Sequence, residues 1–323
     1  DIERNELRSM PLSEILDEVA HPNLEFFVST LQEGFVKDLV SGLIEDTKGC
    51  VLTFNNLLAR TDFVNYIKEA LNRLEAAYGY PVDTEFTATM DASTGAVRLN
   101  FVQCRPMRAP SGANGVALPK KVPQTLVLFR TNRTLSGGAV RNIQYILYID
   151  PKAYATEAPL TVKQQVGRIV GEINRHPEIV KGRIMMMGPG RWGSSNIMLG
   201  VNTSYADINN ASVLVEIARE EAGHVPDVSF GTHFFLDLVE SQIVYLPLYP
   251  DVPESELNSA FFEHAPNSLS RFVDNTAQLE HIIRLIDVPD SSGGRHAHVV
   301  ADPHLAKAVC FLRAAQTNEP GSS

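Results

Sequence analysis

The sequence predicts an α/β (α+β) protein built in two parts, and three observations carry that expectation. Apolar, β-branched runs such as Tyr145–Ile149 and Ile243–Leu248 alternate with stripes of helical period such as the one from Phe63 to Tyr78. Hydrophobic residues make up 44% of the 323 residues and charged residues 20%, enough to bury a core. The stretch Pro106 to Pro123 holds four prolines and two glycines and divides the chain. The expected parts are residues 1–110, a linker over 111–123, a second domain over 124–315 and a polar tail over 316–323.

In chain order, Ser13 is placed to cap a helix carrying Ile15, Leu16 and Val19. Leu24 to Val28 and Cys50 to Phe54 read as short strands. Thr61 is an N-cap candidate for the clearest helix, whose stripe is Phe63, Val64, Ile67, Ala70, Leu71, Leu74, Ala77 and Tyr78. Gly79 is placed to end it in a left-handed cap. Pro81–Thr87 and Arg98–Pro106 alternate as strands around the turn Asp91–Gly95, so they predict a hairpin.

Past the linker, Thr125–Phe129 and Tyr145–Ile149 predict strands, with a polar loop from Arg130 to Gly138 between them. Thr161 is placed to cap a helix with Val162, Val166, Ile169, Val170 and Ile173 on one side. Arg183–Met187 and Ile243–Leu248 predict strands. Val213–Ala218 reads as a strand, although the residues from Asp207 onward fit a helix equally well. Thr232–Glu240 predicts a short helix. Leu279–Val288 and His298–Val300 predict strands. Gly293–His298 reads as a loop, and Pro303–Leu312 as a closing helix with Cys310 on its apolar face.

Two stretches carry candidate chemistry. In the first, strand alternation puts Asp83 with Glu85 and Gln103 with Arg105. Carboxylate and amide oxygens suit Mg²⁺, and an arginine suits the phosphates that the metal bridges. The alternative is an exposed sheet face with a salt bridge. The second is Met185-Met186-Met187-Gly188-Pro189-Gly190-Arg191-Trp192-Gly193-Ser194. An apolar run here feeds a glycine-punctuated loop with a guanidinium and hydroxyls. It reads either as an anion-binding turn formed by Gly188, Gly190, Arg191 and Ser194, or as a tight turn with a buried Trp192 and a paired arginine. Arg133 is a second candidate for the anion. His233, at a helix start after Gly231, is a candidate proton-transfer group or phosphoryl acceptor with Asp237 or Glu240, or else a packing histidine.

Gly79-Tyr80-Pro81-Val82-Asp83-Thr84-Glu85-Phe86 followed by Phe101-Val102-Gln103-Cys104-Arg105-Pro106 resembles the end of the ATP-grasp nucleotide-binding domain of phosphoenolpyruvate synthase and pyruvate phosphate dikinase. The family pattern is D-I-E-[WF] followed by L-Q-[AC]-R-P, and Thr84 departs from it. The resemblance implies ATP and Mg²⁺ as cofactors, Glu85 and Gln103 at the metal, and Arg105 at the phosphates or the transferred phosphoryl group. It implies a small anionic substrate, pyruvate or phosphate-like. The glycine-rich start of that domain and the family's Thr-Ser-His phosphohistidine segment do not occur in the sequence. The later motifs, from Met187-Gly188-Pro189-Gly190-Arg191-Trp192 to Tyr245-Leu246-Pro247-Leu248-Tyr249-Pro250, are similar to the C-terminal region of large homologues of these enzymes. That region brings no assigned chemistry with it.

The expectation is thus a part of an ATP-dependent phosphotransferase, with a ligand-sensing or assembly module that binds a small anion as the alternative. The start at Asp1 without Met predicts that the chain belongs to a larger polypeptide. The net charge of −10 argues against a nucleic-acid partner. No run approaches a membrane span. Three scattered cysteines predict neither zinc nor a disulfide framework, and a cytoplasmic setting is expected.

Overall fold

The computed structural model describes residues 4–6, 8–12, 14–15, 23–41, 49–79, 81–91, 93–106, 116–134, 137–194, 196–219, 227–229 and 232–315. Ser13, Leu16 and Val19 of the expected first helix and the tail over 316–323 lie outside the described residues. The chain forms two compact units, residues 1–107 and 108–323. Helices and mixed sheets together make an α+β protein. Among the described residues no helix is long and apolar enough to cross a membrane.

The first unit has a three-stranded antiparallel sheet of order β2-β1-β3, from Val28–Gln32 (β1), Phe35–Asp38 (β2) and Cys50–Leu52 (β3). Leu24–Phe26 is a 3-10 turn rather than part of a strand, and β1 starts only at Val28. A helix that the sequence reading missed, Asn55–Arg60, follows β3. The helix Phe63–Tyr78 forms as expected and ends at Gly79, whose φ of 71° lets its N–H bond Glu75 O. Thr61 is not its N-cap. That position belongs to Asp62, while the Thr61 hydroxyl donates to Leu57 O. The helix stripe packs on the hairpin of Val82–Met90 (β4) and Val97–Pro106 (β5), with Phe63, Phe86 and Phe101 in a chain of tilted rings. No residue of this helix is fully buried.

The second unit is layered. Tyr145–Ile149 (β8), Ile184–Pro189 (β9), Ala211–Ile217 (β10) and Val244–Leu248 (β11) run parallel in sequential order. Ile283–Asp287 (β13) closes that sheet antiparallel to β8. A second, antiparallel sheet has the order β12-β6-β15-β14-β7, from Val127–Thr131 (β6), Gly138–Ile143 (β7), Glu256–Leu257 (β12), Arg295–Asp302 (β14) and Lys307–Ala314 (β15). The sheets share one core, in which Met185, Met187, Val213, Val215 and Leu246 meet Val299, Cys310 and Leu312. Helices Pro151–Thr156 and His233–Glu240 pack on β9 and β11. A strand enclosed on both faces is a continuous apolar run, which explains the three methionines of β9.

Several boundaries differ from expectation. Pro303–Leu312 is not a helix, because residues 307–314 form β15. Val309 and Phe311 face one side and Ala308, Cys310 and Leu312 the other, and both sides are covered, so the period of two is hidden in an apolar run. Asp302 turns the chain first, its carboxylate accepting the His304 and Leu305 amides. Arg295–His298, expected as a loop, begins β14. Leu279–Val288 is strand only over Ile283–Asp287. The helix Leu160–Arg175 starts one residue before Thr161, with Pro159 at its N-cap. Residues from Asp207 onward resolve into a 3-10 turn, Tyr205–Asp207, and then β10. The linker's second half is not free, since Leu118 and Val122 pack on Val127, Val309 and Phe311.

Gly190 tests this packing. Its φ is 60°, and a Cβ there would lie 2.2 Å from Leu199 O. Gly190→Ala is expected to destabilise the second unit by more than about 2 kcal/mol in urea unfolding.

Candidate functional site

The loop that leaves β9 is tied to the loop before the helix His233–Glu240 by one carboxylate. Glu216 on β10 is fully buried. Its Oε1 accepts the Trp192 N–H at 2.8 Å and the Ser229 hydroxyl at 2.6 Å. Its Oε2 accepts the Ser229 N–H at 2.5 Å and the Tyr245 hydroxyl at 2.7 Å. Burial raises the Glu216 pKa, against these four hydrogen bonds, which lower it. Ser229 Oγ also lies 2.9 Å from Trp192 O. Its single proton cannot serve both oxygens, so a neutral Glu216 that donates to Ser229 Oγ satisfies the whole set. The Tyr245 phenol is pushed up by burial and then by Glu216. The signal for Glu216 was a lone charge in the run Val213–Ala218.

This clamp changes the meaning of the glycine-rich loop. The Gly190 N–H bonds Ile217 O, the Arg191 N–H bonds Leu199 O, and the Trp192 N–H bonds Glu216. Those amides are spent inside the protein and do not form an anion cradle. Gly188 instead leaves room for Trp192 and Ile149, and Gly193 for Phe234. Trp192 is buried, and its Nε1 has no partner among the described residues. Behind the loop, the Tyr154 hydroxyl donates to Gly200 O, and the buried Lys163 ammonium sits 5.0 Å from the Tyr154 ring centroid.

The predicted site residues scatter around this frame. Arg191 is half-buried and forms no ion pair among the described residues. Ser194 Oγ accepts the Asn196 amide. Arg133 lies 4.7 Å over the Tyr249 ring, just past β11. His233 is exposed at the first turn of its helix, where Thr232 supplies the cap, and no hydrogen bond joins it to the half-buried Asp237 one turn on. Glu240 is exposed at the far end of the helix.

The parallel strands all finish at one edge, where ligands collect in open α/β sheets. Asp150 follows β8, Arg191 β9, Arg219 β10 and Tyr249 β11. A cleft of about 740 Å³ opens there, lined by Tyr148, Asp150, Lys152, Arg219, Asp251 and His281 among others. Arg219 reaches Asp251 at 3.6 Å and Ser259 Oγ at 3.4 Å. The Tyr148 hydroxyl donates to Asp150 at 3.4 Å, and burial followed by the Asp150 charge pushes that phenol up. The cleft carries both signs of charge, which suits a small polar or zwitterionic ligand. Sequence reading missed it because its residues come from the ends of β8, β10 and β11, the helix Ser259–His264 and the segment before β13.

In the first unit the hairpin register sets Asp83 opposite Arg105 and Glu85 opposite Gln103. All four therefore share one face of the ribbon. Glu85 is exposed, and Asp83, Gln103 and Arg105 are half-buried. With its amide oxygen and nitrogen exchanged, Gln103 accepts through that oxygen from the Arg105 guanidinium. A cavity of about 600 Å³ in this unit lies at the hairpin's other end, around Tyr66, Asp91 and Arg98. Among the described residues no three His, Cys, Asp or Glu side chains form a metal cluster.

No family model, no curated protein and no solved structure matches the chain.

Removing the clamp has a signed consequence. The folded pKa of Glu216 lies above its unfolded value, so the stability it contributes is full below about pH 4 and falls as pH rises through the folded value. Urea midpoints across about pH 4 to about pH 8 should show the advantage of wild type over Glu216→Gln shrinking as pH rises. Glu216→Ala, which orphans several buried donors, should cost more than about 3 kcal/mol.

Proposed function

We propose that the chain is part of an ATP-dependent phosphotransferase of the phosphoenolpyruvate synthase and pyruvate phosphate dikinase kind. In this reading residues 1–110 are the end of an ATP-grasp nucleotide domain, and residues 124–315 receive a small anionic substrate such as pyruvate or phosphate. The observation that carries the reading is the hairpin register, which gathers Asp83, Glu85, Gln103 and Arg105 on one face. Two carboxylates and an amide are hard oxygen donors. Mg²⁺ binds through one or two carboxylates and completes its shell with phosphate oxygens and water, so a donor set this small fits it. Glu85 and Gln103 would hold the metal, and Arg105 offers a planar fork to a phosphate. When bound, the metal supplies charge neutralisation on the phosphates. The chain's own part is orientation, with a rigid antiparallel pair fixing four side chains in register.

The second unit supports the acceptor half of the reading through Arg191 and Arg219 at the carboxyl edge of its parallel strands. Cys50, Cys104 and Cys310 form no disulfide among the described residues, which fits a reducing, cytoplasmic setting.

In the full-length protein, Glu85→Ala and Gln103→Ala should each lower the rate of Mg-ATP turnover by about 100-fold or more. Unchanged turnover in both variants would remove the phosphotransfer reading. His233, which makes no hydrogen bond to Asp237, favours the alternative, a module that senses or assembles on a small anion without chemistry. His233→Ala separates the two, because lost turnover with intact ligand binding points to chemistry in this unit.

A further inference from the structure

The antiparallel sheet of the second unit has an outer face that neither the clamp nor the cleft uses. Its inner face is the shared core of Ala297, Val299, Ala308, Cys310 and Leu312. The residues between them point outward. On β14 these are His296, His298 and Val300. On β15 they are Val309, Phe311 and Arg313, with His296 directly opposite Arg313 and His298 opposite Phe311. Part of this face is covered by Leu118 and Val122. The other part is basic.

A bulge shapes that part. Between the pairs Ala297↔Ile143 and Val299↔Val140, β14 has one residue, His298, and β7 has two, Arg141 and Asn142. Asn142 takes a φ of 56°, the left-handed conformation that lets a strand bulge. The Arg183 guanidinium donates to the Arg141 carbonyl at 2.9 Å and holds the bulge in place. Next to the pair Val140↔Val299, Arg141 falls opposite His298 and shares its outward face.

The two imidazoles are incompletely bonded. His298 is 2% exposed, and its ring stacks on Phe311 with centroids 5.8 Å apart. His298 Nε2 and His296 Nδ1 are both buried without a hydrogen-bond partner. Buried ring nitrogens normally find a partner, because an unmet one costs about 1–3 kcal/mol in proteins. The charged groups that act on His298 are Arg313, His296 and Arg141, all basic. Burial first, and these neighbours second, hold its pKa down at about 4. Arg141 and Arg313 are exposed and form no ion pair among the described residues.

We propose that Arg141, His296, His298 and Arg313 form a binding site for a phosphate-class oxyanion on the outer face of this sheet. Two guanidinium forks would grip the oxygens, and the unpaired imidazole nitrogens would complete the shell once the exposed arginine side chains swing aside to uncover them. The anion would supply the missing negative charge and the missing hydrogen bonds together. It can be free phosphate or the phosphoryl group of a larger molecule, and the open position of both arginines admits either.

The test is a titration of the full chain with inorganic phosphate, followed on the ring nitrogens of His296 and His298 by long-range ¹H–¹⁵N NMR. Saturable shifts that matched additions of sodium chloride do not reproduce support the site. Arg141→Ala and Arg313→Ala alter exposed side chains and should leave the fold intact, while each weakens phosphate binding about tenfold or more. A parallel titration with phenyl phosphate separates the sources: tighter binding than inorganic phosphate assigns the site to a phosphorylated ligand, and weaker binding to the free ion. Shifts absent at both histidines, or affinity unchanged in both arginine variants, would overturn the proposal.

Discussion

A carboxyl group sealed inside a sheet costs several kcal/mol unless its oxygens are hydrogen-bonded, and Glu216 makes four such bonds. Its partners come from three places that the chain would otherwise leave apart: the loop after β9, the segment before the helix His233–Glu240, and β11. Once Glu216 is buried on the central strand β10, its oxygens can be satisfied only by drawing these pieces onto it. The carboxyl edge of the parallel sheet is built around that requirement. The glycines follow from it too. A backbone pulled tight against Leu199, Arg191 and Phe234 leaves no room for a Cβ at Gly190, Gly200 or Gly193.

The same economy explains why the glycine-rich loop does not behave as a phosphate loop. A phosphate loop keeps its amides free for a ligand, whereas this loop gives them to Ile217, Leu199 and Glu216. Side chains remain as the means of holding an anion. Arg191 and Arg219 leave the ends of neighbouring strands, and the guanidinium of Arg133 is steadied on the Tyr249 ring. In the reading proposed above, recognition at this edge would rest on arginine forks and the Tyr148–Asp150 pair, set on strand ends that the core fixes.

How much of this was legible in the sequence depended on whether the signal was local. The helix Phe63–Tyr78, the hairpin with its Asp83, Glu85, Gln103 and Arg105 face, and the buried strands β8, β9 and β11 all announce themselves through period and turn residues. β15 did not, because a strand covered on both sides loses its alternation, and a ten-residue apolar stretch then reads as a helix. The Arg141 bulge was equally hidden, since it exists only in the register between β7 and β14. The cleft and the clamp were invisible for the same reason. Glu216, Ser229 and Tyr245 are separated by 13 and 29 residues from Glu216 and meet only through the sheet. Sequence periodicity reports which face of an element is buried, and nothing in it reports which other element lies opposite.

The two units differ in how firmly they hold their polar groups, and that difference bears on the hairpin. In the second unit Glu216 works in a dry interior, where each contact is strengthened by the low dielectric. In the first unit Glu85 stands in water, the helix beneath the hairpin buries no residue fully, and Phe35, Val36, Val40, Leu52 and Val102 are each more than half exposed. An exposed carboxylate attracts a metal weakly, because water screens it and competes for the same shell. In the proposed reading, firm nucleotide binding would therefore require a further surface that covers the hairpin and excludes water from its polar face. Val102, on the hairpin itself, is an apolar side chain that such a cover would bury. Under that proposal the hairpin would supply the geometry of a phosphate site, and the low dielectric that gives the geometry its strength would come from what packs over it.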